Sequence, residues 1–177
     1  MPVTPLDPTP GSPTANAYVS LEVANQYHLD RPAVGATWET ATDDQKTAAI
    51  LWATKQLDNL WSWNGYPENV SQALAWPRKA ITKRNGLSGY VPSTTIPIEI
   101  QYATAEYARQ LLASDLLANS DIESLGILSL TAGPVSLSFR DSVRAKPVPD
   151  VVVSMIPYEW GTFRLRSGGF SKDLIRA

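Results

Sequence analysis

Apolar residues recur at helical spacing in three stretches of the chain and alternate with polar ones in a fourth. The clearest helical stretch starts at Thr42. Thr42 and Gln45 form a T-x-x-Q capping box, with Asp43 and Asp44 in the first turn, where negative charge suits the helix dipole. Ala49, Ala53, Leu57 and Leu60 follow at spacings of four, four and three. Ile50, Leu51, Trp52 and Trp61 widen the apolar surface, so this helix is expected to be covered on more than one side and to stop at Asn64-Gly65.

An earlier, shorter helix is predicted from about Ser20 to Asp30. Ser20 is its N-cap, Glu22 lies in its first turn, and Val23 and Tyr27 share a face. The single histidine, His28, falls near its end, where a surface or capping position is expected rather than a ligand. A third helix is predicted from Pro97 to about Ala118, with Thr95 or Ile96 at the cap. Ile98, Tyr102, Ala105, Ala108, Leu112 and Leu116 follow its period.

The period then changes to two. Ile127, Leu128 and Leu130 precede Gly133-Pro134, and Val135, Leu137 and Phe139 alternate with Ser136, Ser138 and Arg140. That pattern predicts a β-hairpin near 127–139. A lone hairpin is marginal in water, so it needs partners from this core or from neighbouring chains. A short apolar helix from Asp150 to about Ile156 ends at Pro157.

The two ends carry a different pattern. Residues 1–14 hold Pro2, Pro5, Pro8, Pro10 and Pro13, which favour polyproline II or disorder. This segment is either a frayed end or an arm lying along a neighbouring subunit. Residues 161–177 interleave Phe163, Leu165, Phe170, Leu174 and Ile175 with Arg164, Arg166, Lys172 and Arg176. Such a tail suits ordering on a partner, and its removal is expected to spare the fold. The fold class is therefore mainly α: a small helical bundle over 15–160 with a β-hairpin and extended N- and C-terminal arms.

Composition narrows the function classes. The 177 residues suffice for one domain with a real core. There is no cysteine, which excludes disulfides and thiolate metal sites. The first residues lack the basic and apolar regions of a signal peptide, and no apolar run approaches the roughly 20 residues of a membrane span. A soluble protein made in the cytoplasm, with no membrane partner, is expected. Net charge is −2, so no global basic field points to nucleic acid. Four of the six tryptophans lie between Trp38 and Trp63, marking either a compact core or an interface.

Residues 62–96 read as loop. Within them Leu74-Ala75-Trp76-Pro77-Arg78 places Trp76 on an extended stretch, most simply as a cap on the core. Arg78, Lys79, Lys83 and Arg84 put four cations within seven residues. They form either a solvated loop or a DNA-facing patch.

No catalytic constellation accompanies these features. One histidine leaves little for a triad or an imidazole metal site. No phosphate-binding glycine motif is present, and Gly86-Leu87-Ser88-Gly89 is one residue short of a nucleophile elbow. Asp43 and Asp44 serve a helix start better than a metal. The expectation is no enzyme activity, no cofactor and no metal.

The order of motifs adds a likeness. Ala15-Asn16-Ala17-Tyr18-Val19-Ser20-Leu21 precedes the first helix. Then come Trp38, the Thr42–Thr54 helix, the Leu74–Arg78 motif, Ile96-Pro97 and Gly133-Pro134-Val135-Ser136. In this order they resemble phage neck proteins labelled DnaT-like single-stranded-DNA-binding proteins, and the wider group of head–tail connector adaptors of tailed bacteriophages. The likeness covers about residues 15–156.

The resemblance implies a structural virion protein of the neck. It would form a ring of about twelve subunits under the portal. It would extend the channel through which genomic DNA passes without sequence recognition, and dock the tail or a second neck protein. Its C-terminal segment, with Phe163, Arg164, Leu165, Arg166, Phe170, Lys172, Leu174, Ile175 and Arg176, would meet the portal protein or neighbouring copies. The alternatives are a single-stranded-DNA-binding protein using Trp76 and residues 78–84, or a tail-completion or other neck protein.

Overall fold

A computed structural model describes residues 2–31, 37–84, 86–113, 129–132, 135–138 and 147–164. Helix α1 spans Leu21–Leu29, α2 Thr37–Thr40, α3 Asp43–Leu60, α4 Ile98–Ala113 and α5 Asp150–Met155, and a single 3-10 turn covers Tyr158–Trp160. The fold is mainly α, with small antiparallel pairs attached, as the periodicity predicts.

Helix starts follow the local chemistry. Ser20 accepts from the Val23 amide at α1. Thr42 and Gln45 complete a reciprocal capping box at α3. α4 opens on Pro97, whose carbonyl takes the Ile100 and Gln101 amides. The expected continuation of α4 to Ala118 lies outside the described residues.

α3, about 27 Å long, lies against α4, and α1, α2 and α5 pack onto α4. Small residues make that approach possible. Ala49 and Ala53 of α3 and Ala103, Ala105 and Ala108 of α4 are all buried. Ile50, Leu57, Ile100, Tyr107, Val148 and Val152 fill the space between the helices.

Trp61 does not continue α3, contrary to the apolar stripe that includes it. Trp61–Trp63 is strand β1, paired antiparallel with β6, Gly161–Phe163. The partner strand is a hundred residues downstream, beyond the reach of any local period. Gly161 is required at this pairing, since a Cβ there would lie 2.5 Å from the Ser62 carbonyl. The packed domain therefore extends past residue 160. Phe163, expected in a partner-binding tail, instead packs on Trp61 at 5.7 Å between ring centres.

Two further pairs complete the set. β2, Tyr66–Pro67, pairs with β3, Arg78–Lys79. β4, Ser129–Ala132, pairs with β5, Val135–Ser138, with Ala132 opposite Val135 across the predicted Gly133-Pro134 position. The outer residues of the predicted hairpin, 127, 128 and 139, lie outside the described residues.

The proline-rich start lies on its own domain. Asn16 Oδ1 accepts from the Asp7 amide at 2.7 Å, Asn16 Nδ2 donates to the Pro5 carbonyl, and the Ser12 carbonyl accepts from Ala73. Leu6 packs against the core. The segment is not a frayed end, one of the two expectations for it. Prolines cannot give these hydrogen bonds, and Asp7, Ser12 and Asn16 supply them instead.

Candidate functional site

The Leu74–Arg78 motif is structural. Trp76 is only 1% exposed, wedged 5.6 Å from Trp63 and 5.5 Å from Trp160 between ring centres, before a cis bond to Pro77. It is the core cap expected of it, and it cannot stack on a base. Arg78, counted in the basic patch, is 8% exposed. Its guanidinium donates to the Asn64, Gly65 and Ala75 carbonyls at 2.7–3.0 Å. A planar fork of fixed donors suits three converging carbonyls, and burial pulls the guanidinium below its ordinary value. Arg78 is thus withdrawn from any DNA-facing role.

Asp58 closes the other side of this motif. Its carboxylate accepts from the Ala75 amide at 3.1 Å and from the Tyr18 hydroxyl. Burial raises Asp58 above the usual carboxylate value. Burial first, and then the neighbouring Asp58 charge, raises Tyr18 well above 10.0. The pair ties the segment before α1 to α3 and to the Trp76 loop.

A second polar cluster joins α1 to α4. Glu106 has no solvent exposure and is bound by Arg31, Arg109 and Gln110. Burial alone would raise this carboxyl. The hydrogen bonds from Arg109, Arg31 and Gln110 outweigh it and hold it below its ordinary value. His28, expected at a surface or cap, is buried beside it. Its Nε2 lies 3.1 Å from the Ala105 carbonyl and its ring 4.3 Å from Trp38. Burial lowers the imidazole below 6.5. A helix of nine residues can turn its last side chains inward once α4 and Trp38 cover that end, which the local sequence does not encode.

The remaining patch residues are on the surface in different states. Lys79 pairs with Glu68 at 3.1 Å, and Arg84 with Glu99 at 3.4 Å. Lys83 is exposed and makes no ion pair among the described residues. Lys83 and Arg84 stand on a hairpin-like turn. Its base is closed by the Thr82–Tyr90 bridge and by the Val91 amide donating to Ile81 at 2.8 Å. Trp160 Nε1 braces it by donating to the Thr82 carbonyl at 3.0 Å. The structure thus splits the expected patch: Arg78 goes inside, Lys79 joins Glu68, and Lys83 with Arg84 flanks a cleft walled by Leu87, Val91, Pro92 and Trp160. Tyr90, which the sequence reading did not select, is 66% exposed at the same turn.

Of the expected C-terminal interface, Phe163 and Arg164 are described. Arg164 is exposed, its amide donates to the Leu60 carbonyl at 2.7 Å and its Nε to Ser62 Oγ at 2.5 Å. Leu165, Arg166, Phe170, Lys172, Leu174, Ile175 and Arg176 lie outside the described residues. Among the described residues there is no metal-holding group of histidines or carboxylates, and no helix long and apolar enough to cross a membrane.

The sequence profile of the family described as "Putative DnaT-like ssDNA binding protein" matches residues 6–168. No curated protein and no solved structure matches the chain. The chain belongs to that DnaT-like family.

Proposed function

We propose that this member of the DnaT-like family works by contact and not by catalysis, as a head–tail adaptor in the neck of a tailed bacteriophage. In this reading copies of the chain form a ring of about twelve under the portal. The ring extends the DNA channel and offers a surface to the tail or to a second neck protein.

One observation carries the assembly part of the reading. The β4–β5 ribbon pairs only with itself among the described residues. A two-stranded ribbon is marginal alone, and a strand edge left unpaired is a template for further pairing. Neighbouring copies in a ring would supply that pairing. The order of motifs shared with connector adaptors supports the phage neck as the place.

The test is to mix the purified chain with the portal protein of the same phage and image the product. Rings of this chain on the portal face are expected. A chain that stays monomeric and unbound beside intact portals would overturn the reading.

A second reading is single-stranded-DNA binding, which the family description names directly. The exposed Lys83, Arg84 and Tyr90 on one turn favour it. Binding of a labelled oligonucleotide at low salt, lost as salt rises, is the result this reading expects.

A further inference from the structure

We propose that the turn closed by Thr82 and Tyr90 is a clamp for single-stranded DNA, with Tyr90 stacking on a base and Lys83 and Arg84 holding the adjoining phosphates. This rests on the single-stranded-DNA reading and gives it a site.

The turn has the two parts such binding needs, a flat aromatic face and nearby cations. Tyr90 is 66% exposed, so its ring is open to a stacking partner. Lys83 reaches towards the same strand. A Cβ at Gly89 would lie 3.8 Å from its ammonium, and the Lys83 amide donates to the Gly89 carbonyl at 3.2 Å. Gly89 has φ +99, so a side chain there would be strained, and the turn between Lys83 and Tyr90 relies on this glycine.

The base of the turn is held rigidly. Ile81 is 1% exposed, Val91 packs on the core, and Trp160 holds the Thr82 carbonyl. A site on a fixed base loses little order on binding. Beside it lies a cleft of about 260 Å³. That is below the roughly 300–1,000 Å³ of pockets that enclose a whole small ligand. Lys83 and Arg84 line it, which places it on the phosphate side of the clamp.

Glu99 sets the affinity. It holds Arg84 at 3.4 Å in the free protein, so a phosphate must compete with a carboxylate for that guanidinium. Another open groove, beside α1 and α2, presents Glu22 and Glu39 against Lys46 and has the wrong charge for DNA.

The test uses the full chain and a fluorescein-labelled oligothymidylate of about 20 nucleotides, read by anisotropy at several salt concentrations. Circular dichroism checks that each variant is folded. Tyr90→Ala is expected to weaken binding about tenfold. Lys83→Ala with Arg84→Ala should lower the salt slope by about 1–2. Glu99→Gln should tighten binding severalfold, while Glu39→Gln, the same charge change elsewhere, should not.

If the wild type binds and Tyr90→Ala and the double variant bind equally well, the site is wrong and DNA binding lies elsewhere on the chain. If the wild type fails to bind at the lowest salt, the DNA reading itself falls, and the clamp with it.

Discussion

Glu106 on α4 and Arg31 just past α1 form an ion pair across 75 residues of sequence, with the carboxylate wholly buried. Arg109 holds the other carboxylate oxygen at 2.6 Å. The pairing ties the end of the first helix to the core, because parting the helices would strip Arg31 from the carboxylate and leave it only Arg109 and Gln110 of its own helix. Removing one member of a buried pair costs about 3–5 kcal/mol. Arg31 is 38% exposed, which places Glu106→Ala near the low end, at about 3 kcal/mol. Arg31→Ala should cost less, since Arg109 and Gln110 remain on the carboxylate. Urea unfolding of the two variants checks the order.

The same cluster sets the acid limb of stability. Glu106 has a folded value below 4.5, so its contribution is present above 4.5 and lost as pH falls through the folded value. His28 is held neutral by burial, so the unfolded chain takes its proton first as pH drops below 6.5. Stability should therefore begin to fall below 6.5 and fall again below 4.5. His28→Gln should flatten the first step and leave the second. Asp58, raised by burial, acts in the opposite sense just above 3.8. Thermal unfolding across pH 3–8 reads these windows; a first step untouched in His28→Gln would count against the buried imidazole.

Arg78 should behave as a core residue. Arg78→Lys keeps the charge but loses the fork that meets three carbonyls. A lost charged hydrogen bond costs about 1.5–3 kcal/mol, so about 2 kcal/mol of destabilisation is expected. Oligonucleotide affinity of the folded fraction should not change. Gly65→Ala should damage the same corner by another route: φ is +65, and a Cβ would stand 2.2 Å from the Lys79 carbonyl.

The boundary of the tail is testable by truncation. A chain ending after Arg164 keeps the β1–β6 pairing. A chain ending after Trp160 loses that pairing, the Trp61–Phe163 contact and the Arg164 bonds to Leu60 and Ser62. It should be less stable by about 2–4 kcal/mol, on the scale of losing a buried aromatic side chain with its hydrogen bonds. Equal stability of the two truncations would contradict the strand.

These predictions mark where sequence reading succeeds. Ser20 and the Thr42–Gln45 box act on neighbours a few residues away, and the β4–β5 strands pair with near neighbours, so their roles are visible in the chain itself. Trp61, His28 and Glu106 take their roles from partners far along the chain, and Arg78 from carbonyls brought together by a folded loop, so no local period carries that information. The charged patch illustrates the limit. Arg78 and Lys83 look alike in a count of cations, yet one is sealed under Asn64 and Gly65 and the other is open to solvent. Tyr90 carried no signal except its place opposite Thr82 across a turn, which required the pairing to be known.

The central claim is that this chain acts as an assembly element of the neck. Under that proposal, a reconstruction by electron cryomicroscopy of the neck of a phage particle containing this chain tests it most directly. The account predicts a ring of copies of this fold between portal and tail, with β4–β5 ribbons paired to neighbouring chains. A neck whose density is filled completely by other proteins would contradict it.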